Sequence, residues 1–215
     1  MTYSTCVKSK ETTSAFVWSR ILGTPFWALF NALPVILYKE FHASPLLITF
    51  LIALKPASAL LATYWSCFFC NREKFLIPNL IITNLLRFLP FLFVFAIHEP
   101  WLLVAAYSLY MTLSRGATPA WMEVFKGNLS GEARSKVVAV GNTIEYVGMT
   151  ILPLVLGIFL DINSSSWRIL FPIAAFLGLI STLFLMRIPP PCRGCIYAPQ
   201  TRAPPSLEAV VGAPL

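Results

Sequence analysis

Six long apolar segments fill the chain between Trp18 and Ile188: Trp18–Tyr38, Pro45–Phe69, Phe75–Ile97, Trp101–Phe125, Val137–Leu160 and Trp167–Ile188. Each reaches the roughly 20 residues that a helix needs to cross the hydrocarbon core of a bilayer. Lipid offers the backbone no hydrogen-bond partner, so apolar segments of this length must be helical. The sequence therefore predicts an all-α polytopic membrane protein with six transmembrane helices. Any function must be assembled inside that bundle.

The composition agrees, with 57% hydrophobic and 12% charged residues, about half the charge usual in soluble domains. A net charge of +7 does not make a nucleic-acid surface, which needs basic residues gathered on one soluble face. Here the basic residues lie mostly between the spans, so the bilayer is the expected partner and nucleic acid is not. The N-terminus, the second and fourth loops and the tail share one side, which carries Lys8, Lys10, Arg20, Arg72, Lys74, Lys126, Arg134, Lys136, Arg187, Arg193 and Arg202. The other side carries only Lys39 and Arg168. Eleven basic residues against two predicts that both termini are cytoplasmic, in a cell (inner or plasma) membrane.

The chain divides into a polar cytoplasmic segment over 1–16, a bundle over 17–188 and a cytoplasmic tail over 189–215. The tail opens with Pro189-Pro190-Pro191 and has no helical periodicity, so it is read as disordered. A shifted or early-ending reading frame would leave a tail of this kind.

A charge at the bilayer centre costs roughly 2.5–3.5 kcal/mol on insertion scales, so it faces protein or a water-filled cavity. Lys55, Arg87, Arg115 and Glu145 fall inside spans. At the helical rise, Arg115 lies about 21 Å and Glu145 about 18 Å from the outer face, with Lys55 and Arg87 at about 15 and 12 Å. Arg115 and Glu145 are thus nearly level on consecutive antiparallel helices, and an ion pair between them is expected. These charges either hold helices together or line a pathway, where three cations and one carboxylate favour a small anionic solute or a proton-coupled step at Glu145. Asn31 is a further pathway candidate, with interhelical hydrogen bonding as its alternative.

Other signals carry less. Cys67/Cys70 and Cys192/Cys195 form two C-x-x-C pairs on the same predicted side. A four-thiolate zinc clamp there is topologically open, but the first pair flanks apolar residues and the second lies in the tail. No metal or cofactor is therefore assigned. His42 and His98 sit apart in outer loops. Without H-E-x-x-H, G-x-S-x-G or P-loop patterns, no catalytic residue is nominated and an enzyme is not expected.

A series in the second half carries more identity. Arg115-Gly116 is followed by Pro119-Ala120-Trp121, a polar run over Gly127–Lys136, Gly148, Pro153 and Gly157 in the fifth span, and Trp167-Arg168 with Phe171 opening the sixth. This series resembles the N-terminal half of a major facilitator superfamily transporter. That family often has an arginine in helix four, a Gly/Pro-rich motif in helix five and Trp-Arg with a Phe at the start of helix six. Of the family's loop between helices two and three, this chain keeps the basic end, Arg72 and Lys74, without its glycines and aspartate. The resemblance implies a six-helix half made of two inverted three-helix repeats, with Gly148, Pro153 and Gly157 as a gating or close-packing motif. Pro56 and Pro153 interrupt the middle helix of each triplet.

It also implies movement of a small solute by alternating access. The second wall of the usual cavity would come from a homodimer or a separately encoded half. The alternative is a truncated, non-transporting membrane protein that serves as an assembly partner. The charge asymmetry makes a direct prediction. With the native cysteines removed, single cysteines at positions 44 and 164 should react in intact cells with a membrane-impermeant thiol reagent. One at position 135 should be protected, and the opposite pattern would reverse the topology.

Overall fold

The computed structural model describes residues 2–70, 73–162 and 164–190. Arg72, Asn163 and the tail from Pro191 lie outside these residues, so the readings placed on Arg72 and on Cys192/Cys195 do too. The side chains of Cys67 and Cys70 are likewise undescribed. Among the described residues all regular structure is helical: α1 (Thr2–Phe41), α2 (Pro45–Cys70), α3 (Leu76–Leu92), α4 (Pro100–Asn128), α5 (Gly131–Ile162) and α6 (Trp167–Leu185). Short 3-10 turns at Glu73–Phe75, Val94–Ala96 and Ser164–Ser166 join them. Three helices are clearly long and apolar enough to cross a membrane, namely Ser9–Phe41 of α1, Gly131–Phe159 of α5, and α6. Pro45–Leu61 and Leu76–Leu92 are shorter apolar stretches. With 29 residues, α4 is about 43 Å long, but it carries more polar residues.

The helix that carries the first span begins well before the apolar stretch. The helix starts at Thr2, and Thr12, Ala15 and Phe16 are buried. Their i, i+3, i+4 spacing forms one helical face that packs on the end of α4. Phe16 sits edge-on to Trp121 and Phe125 at 5.1 and 4.9 Å, and Thr12 Oγ1 accepts a hydrogen bond from Asn128 Nδ2 at 3.1 Å. The same amide donates to the Pro189 carbonyl at 3.1 Å. One side chain thus ties the start of α1, the end of α4 and the exit of α6. At the far end of α1, His42 adopts φ 46°, a left-handed turn that sends the chain back into α2.

The packing repeats itself under a single exchange. α1 packs along α5 and α6, while α4 packs along α2 and α3. Swapping α1 with α4, α2 with α5 and α3 with α6 carries each of these pairs onto another. The α1–α4 and α3–α6 contacts map onto themselves. That is the pattern of two related three-helix units, in which α1 and α4 are central and α2 and α5 lie at the flanks. Long parts of the flanking helices are exposed, as at Val147, Ile151, Leu154 and Ile158 on α5 and Phe50, Leu60 and Leu61 on α2.

Aromatic rings fill the junction of α1, α3, α4 and α6. Phe26 and Phe30 of α1, Phe88 and Phe91 of α3, Tyr107 and Tyr110 of α4, and Phe171 of α6 are all buried. Small residues let the helices approach closely enough for these rings to meet. At Gly178 of α6, a Cβ would collide with the Phe88 ring, and at Gly148 of α5 it would collide with Thr24. Gly157 does not share that packing role, because nothing beyond its chain neighbours and its own helix backbone lies within 4 Å of where its Cβ would be. It is half-buried, but the space into which its Cβ would point is open. Gly178→Val should therefore destabilise the bundle by about 1–3 kcal/mol, the usual cost of overpacking, while Gly157→Val should change little. Thermal unfolding in mild detergent would measure both, and equal losses would show that propensity rather than packing is at work.

Candidate functional site

Three helices each present a polar and aromatic stripe at helical spacing. On α1 it comprises Arg20, Gly23, Thr24, Trp27 and Asn31; on α4, Tyr110, Ser114, Arg115, Thr118 and Trp121; on α5, Asn142, Glu145, Tyr146 and Met149. Offsets of three, four and seven residues place each set on one face. Packing brings the three faces together around a cavity of about 430 Å³, to which α2 adds Lys55 and α3 adds Arg87. Asn31, Arg115, Asn142 and Tyr146 are exposed, so the cavity is open along one side. A volume of this size is within the range of small-molecule sites.

The five residues singled out as pathway candidates, Asn31, Lys55, Arg87, Arg115 and Glu145, all line this one cavity. The pairing expected between two of them is not found. Glu145 is bonded to the guanidinium of Arg20, and among the described residues Arg115 has no carboxylate at ion-pair distance. The reason lies in azimuth rather than depth. α5 follows α4 in sequence but packs along α1, so the carboxylate meets the cation on its spatial neighbour.

Each remaining cation has a different environment. Lys55 Nζ approaches Asn31 Oδ1 at 3.5 Å, which is long for a hydrogen bond and therefore a weak tether. Arg87 donates to Asn84 Oδ1, and its guanidinium lies over the rings of Phe88 and Tyr110 at 4.6 and 5.5 Å. Asn84 is anchored in turn. Its amide nitrogen donates to the Gly178 carbonyl at 3.3 Å, to Ser181 Oγ at 3.1 Å and to Thr182 Oγ1 at 2.8 Å, all on α6. The Gly178 carbonyl can only accept, which fixes the amide nitrogen toward α6 and the oxygen toward Arg87.

Arg20 is the site residue that counting basic loop residues misses, since it stands near the start of its span. Periodicity would have found it, because it continues the α1 stripe through Gly23, Thr24, Trp27 and Asn31. The cavity does not include Pro153, Gly148 or Gly157 among its lining residues, and Lys74 is exposed in the turn before α3. Among the described residues no group of three or more His, Cys, Asp or Glu side chains gathers as for a metal ion.

Six helices in two related triplets, enclosing an open polar cavity among apolar outer surfaces, define an integral membrane protein of the helical transporter class. The chain matches the Major Facilitator Superfamily over residues 19–208, and it belongs to that superfamily. Neither curated proteins nor solved structures give a significant match.

The Arg20–Glu145 pair can be tested directly. Removing either partner leaves a charge unpaired in a partly buried site, which is costly. Arg20→Ala and Glu145→Ala should therefore show a coupling of about 0.5–3 kcal/mol in a double-mutant cycle on detergent stability. Arg115→Ala with Glu145→Ala should be additive. The reverse result would restore the Arg115 pair.

Proposed function

We propose that this chain is one six-helix unit of a transporter that moves a small solute by alternating access, its cavity completed by a second six-helix unit. One observation carries the proposal: Lys55, Arg87, Arg115 and Glu145, the charges deep within the spans, line with Arg20 a single cavity left open on one side. Exposed charge facing hydrocarbon is costly, so a second unit that covers the opening offsets that cost and supplies the missing wall. The repeats of this superfamily place the solute site near the midplane, between such units. The second unit is another copy, another chain or further polypeptide.

For two copies, a twofold axis along the membrane normal would bring the cavities face to face and leave all termini on one side. The basic-residue asymmetry supports cytoplasmic termini in an inner or plasma membrane. Moving Arg20 from the loop count into the cavity leaves that asymmetry at ten to two. Rocking of one unit against the other would then expose the cavity to each side in turn.

Reconstitution into liposomes over a range of protein-to-lipid ratios tests the assembly requirement. Uptake of small solutes should rise more steeply than linearly with protein density, because only assembled particles transport. Linear uptake from particles shown to be monomeric would refute a shared cavity. Silence from verified dimers would favour a non-transporting assembly partner.

A further inference from the structure

We infer that the solute taken by this cavity is a small organic anion with a flat apolar body, and that Arg87 is the group that receives its charge. The inference rests on the transporter reading for the cavity's use, but not for its binding chemistry. Four cationic side chains and a single carboxylate line the space, and that carboxylate is already committed to Arg20. A positive surplus held between low-dielectric walls concentrates anions and repels cations.

The four cations are not equivalent. Arg20 is neutralised by Glu145, Lys55 is loosely held, and Arg115 stands at the open side. Arg87 alone is both fixed in orientation and without a carboxylate among the described residues, clamped between the Asn84 oxygen and two aromatic rings. Among the described residues it has no anionic partner, and its buried Nε has no hydrogen-bond partner at all. An arginine in that condition is a preorganised fork for a carboxylate or similar planar oxyanion. Binding there loses little ordering entropy, because the fork is already in place. Tyr110 lies beside it, Trp27 packs on that ring, and Trp121 lines the same cavity farther along α4; these rings offer faces and edges to a flat apolar group.

Benzoate, benzamide and benzamidine share one ring and differ in charge, so they separate charge recognition from apolar filling. Binding of radiolabelled benzoate to the purified full chain in mild detergent should be saturable. Unlabelled benzoate should displace it at least tenfold better than benzamide, and benzamidine should not compete. Arg87→Gln should weaken benzoate at least tenfold, with Arg87→Lys intermediate, because it keeps the charge and loses the fork. Equal competition by benzamide, no saturable benzoate binding, or an Arg87→Gln protein that is folded and binds within twofold of the native chain would overturn the inference. The competition series uses only the native chain, so it stands even if Arg87→Gln fails to fold. Benzoate binding without uptake by verified assemblies would sink the transport reading and leave this one intact. Uptake of neutral solutes with no preference for anions would do the reverse.

Discussion

The Phe26 ring holds this bundle in register. It is fully buried and touches Phe30 on its own helix, Phe88 and Phe91 on α3, Tyr110 on α4 and Phe171 on α6, with ring centroids 4.7 to 5.8 Å apart. Lipid tails are as apolar as these rings, so apolar burial does little to drive helices together here. Close packing and ring geometry supply the association instead. By fixing one face of α1 against three other helices, this cluster commits the opposite face, with Arg20, Trp27 and Asn31, to the cavity. Tyr110 belongs to both regions, so the position of the cavity wall follows from the packing of the core.

The polar network around Asn84 solves a different problem. An arginine inside a bundle needs acceptors that do not come from solvent. Here one amide supplies an acceptor to Arg87 and spends its donors on α6. The same three residues, Gly178, Ser181 and Thr182, therefore give α3 and α6 both close approach and polar bonding. Ser181 also donates to the Gly178 carbonyl at 2.5 Å, which leaves its oxygen free to accept from Asn84. Charge and packing are interlocked at this point, so neither is changed without disturbing the other.

Much of this was legible in the sequence, and the misses have physical causes. Six helices, their approximate spans and the residues that share a cavity follow from apolar length and from the cost of charge in lipid. The helix rise gives depth along the membrane normal but says nothing about which helices adjoin, which is why Glu145 was matched to Arg115 rather than Arg20. The stripe through Arg20, Gly23, Thr24, Trp27 and Asn31 held the missing information in its 3.6-residue period. Apolar length marks a span from Trp18 but not the start of α1 at Thr2, where Thr12 is polar and yet buried against Asn128. Gly157 shows the converse limit, since a glycine in a membrane helix is no evidence that another helix presses on its Cα.

The Arg20–Glu145 bond joins positions 125 residues apart, and ribosomes deliver them in order. At about 5–20 residues per second, α1 waits roughly 6–25 s for its carboxylate. During that interval Arg20 stands near the end of an apolar span without its carboxylate. A long arginine stem can hold its head in the interfacial water until α5 arrives. Biogenesis of this chain is therefore a problem of timing: the first helix enters with its charge unsettled, and the bundle closes around it only after the fifth has been made.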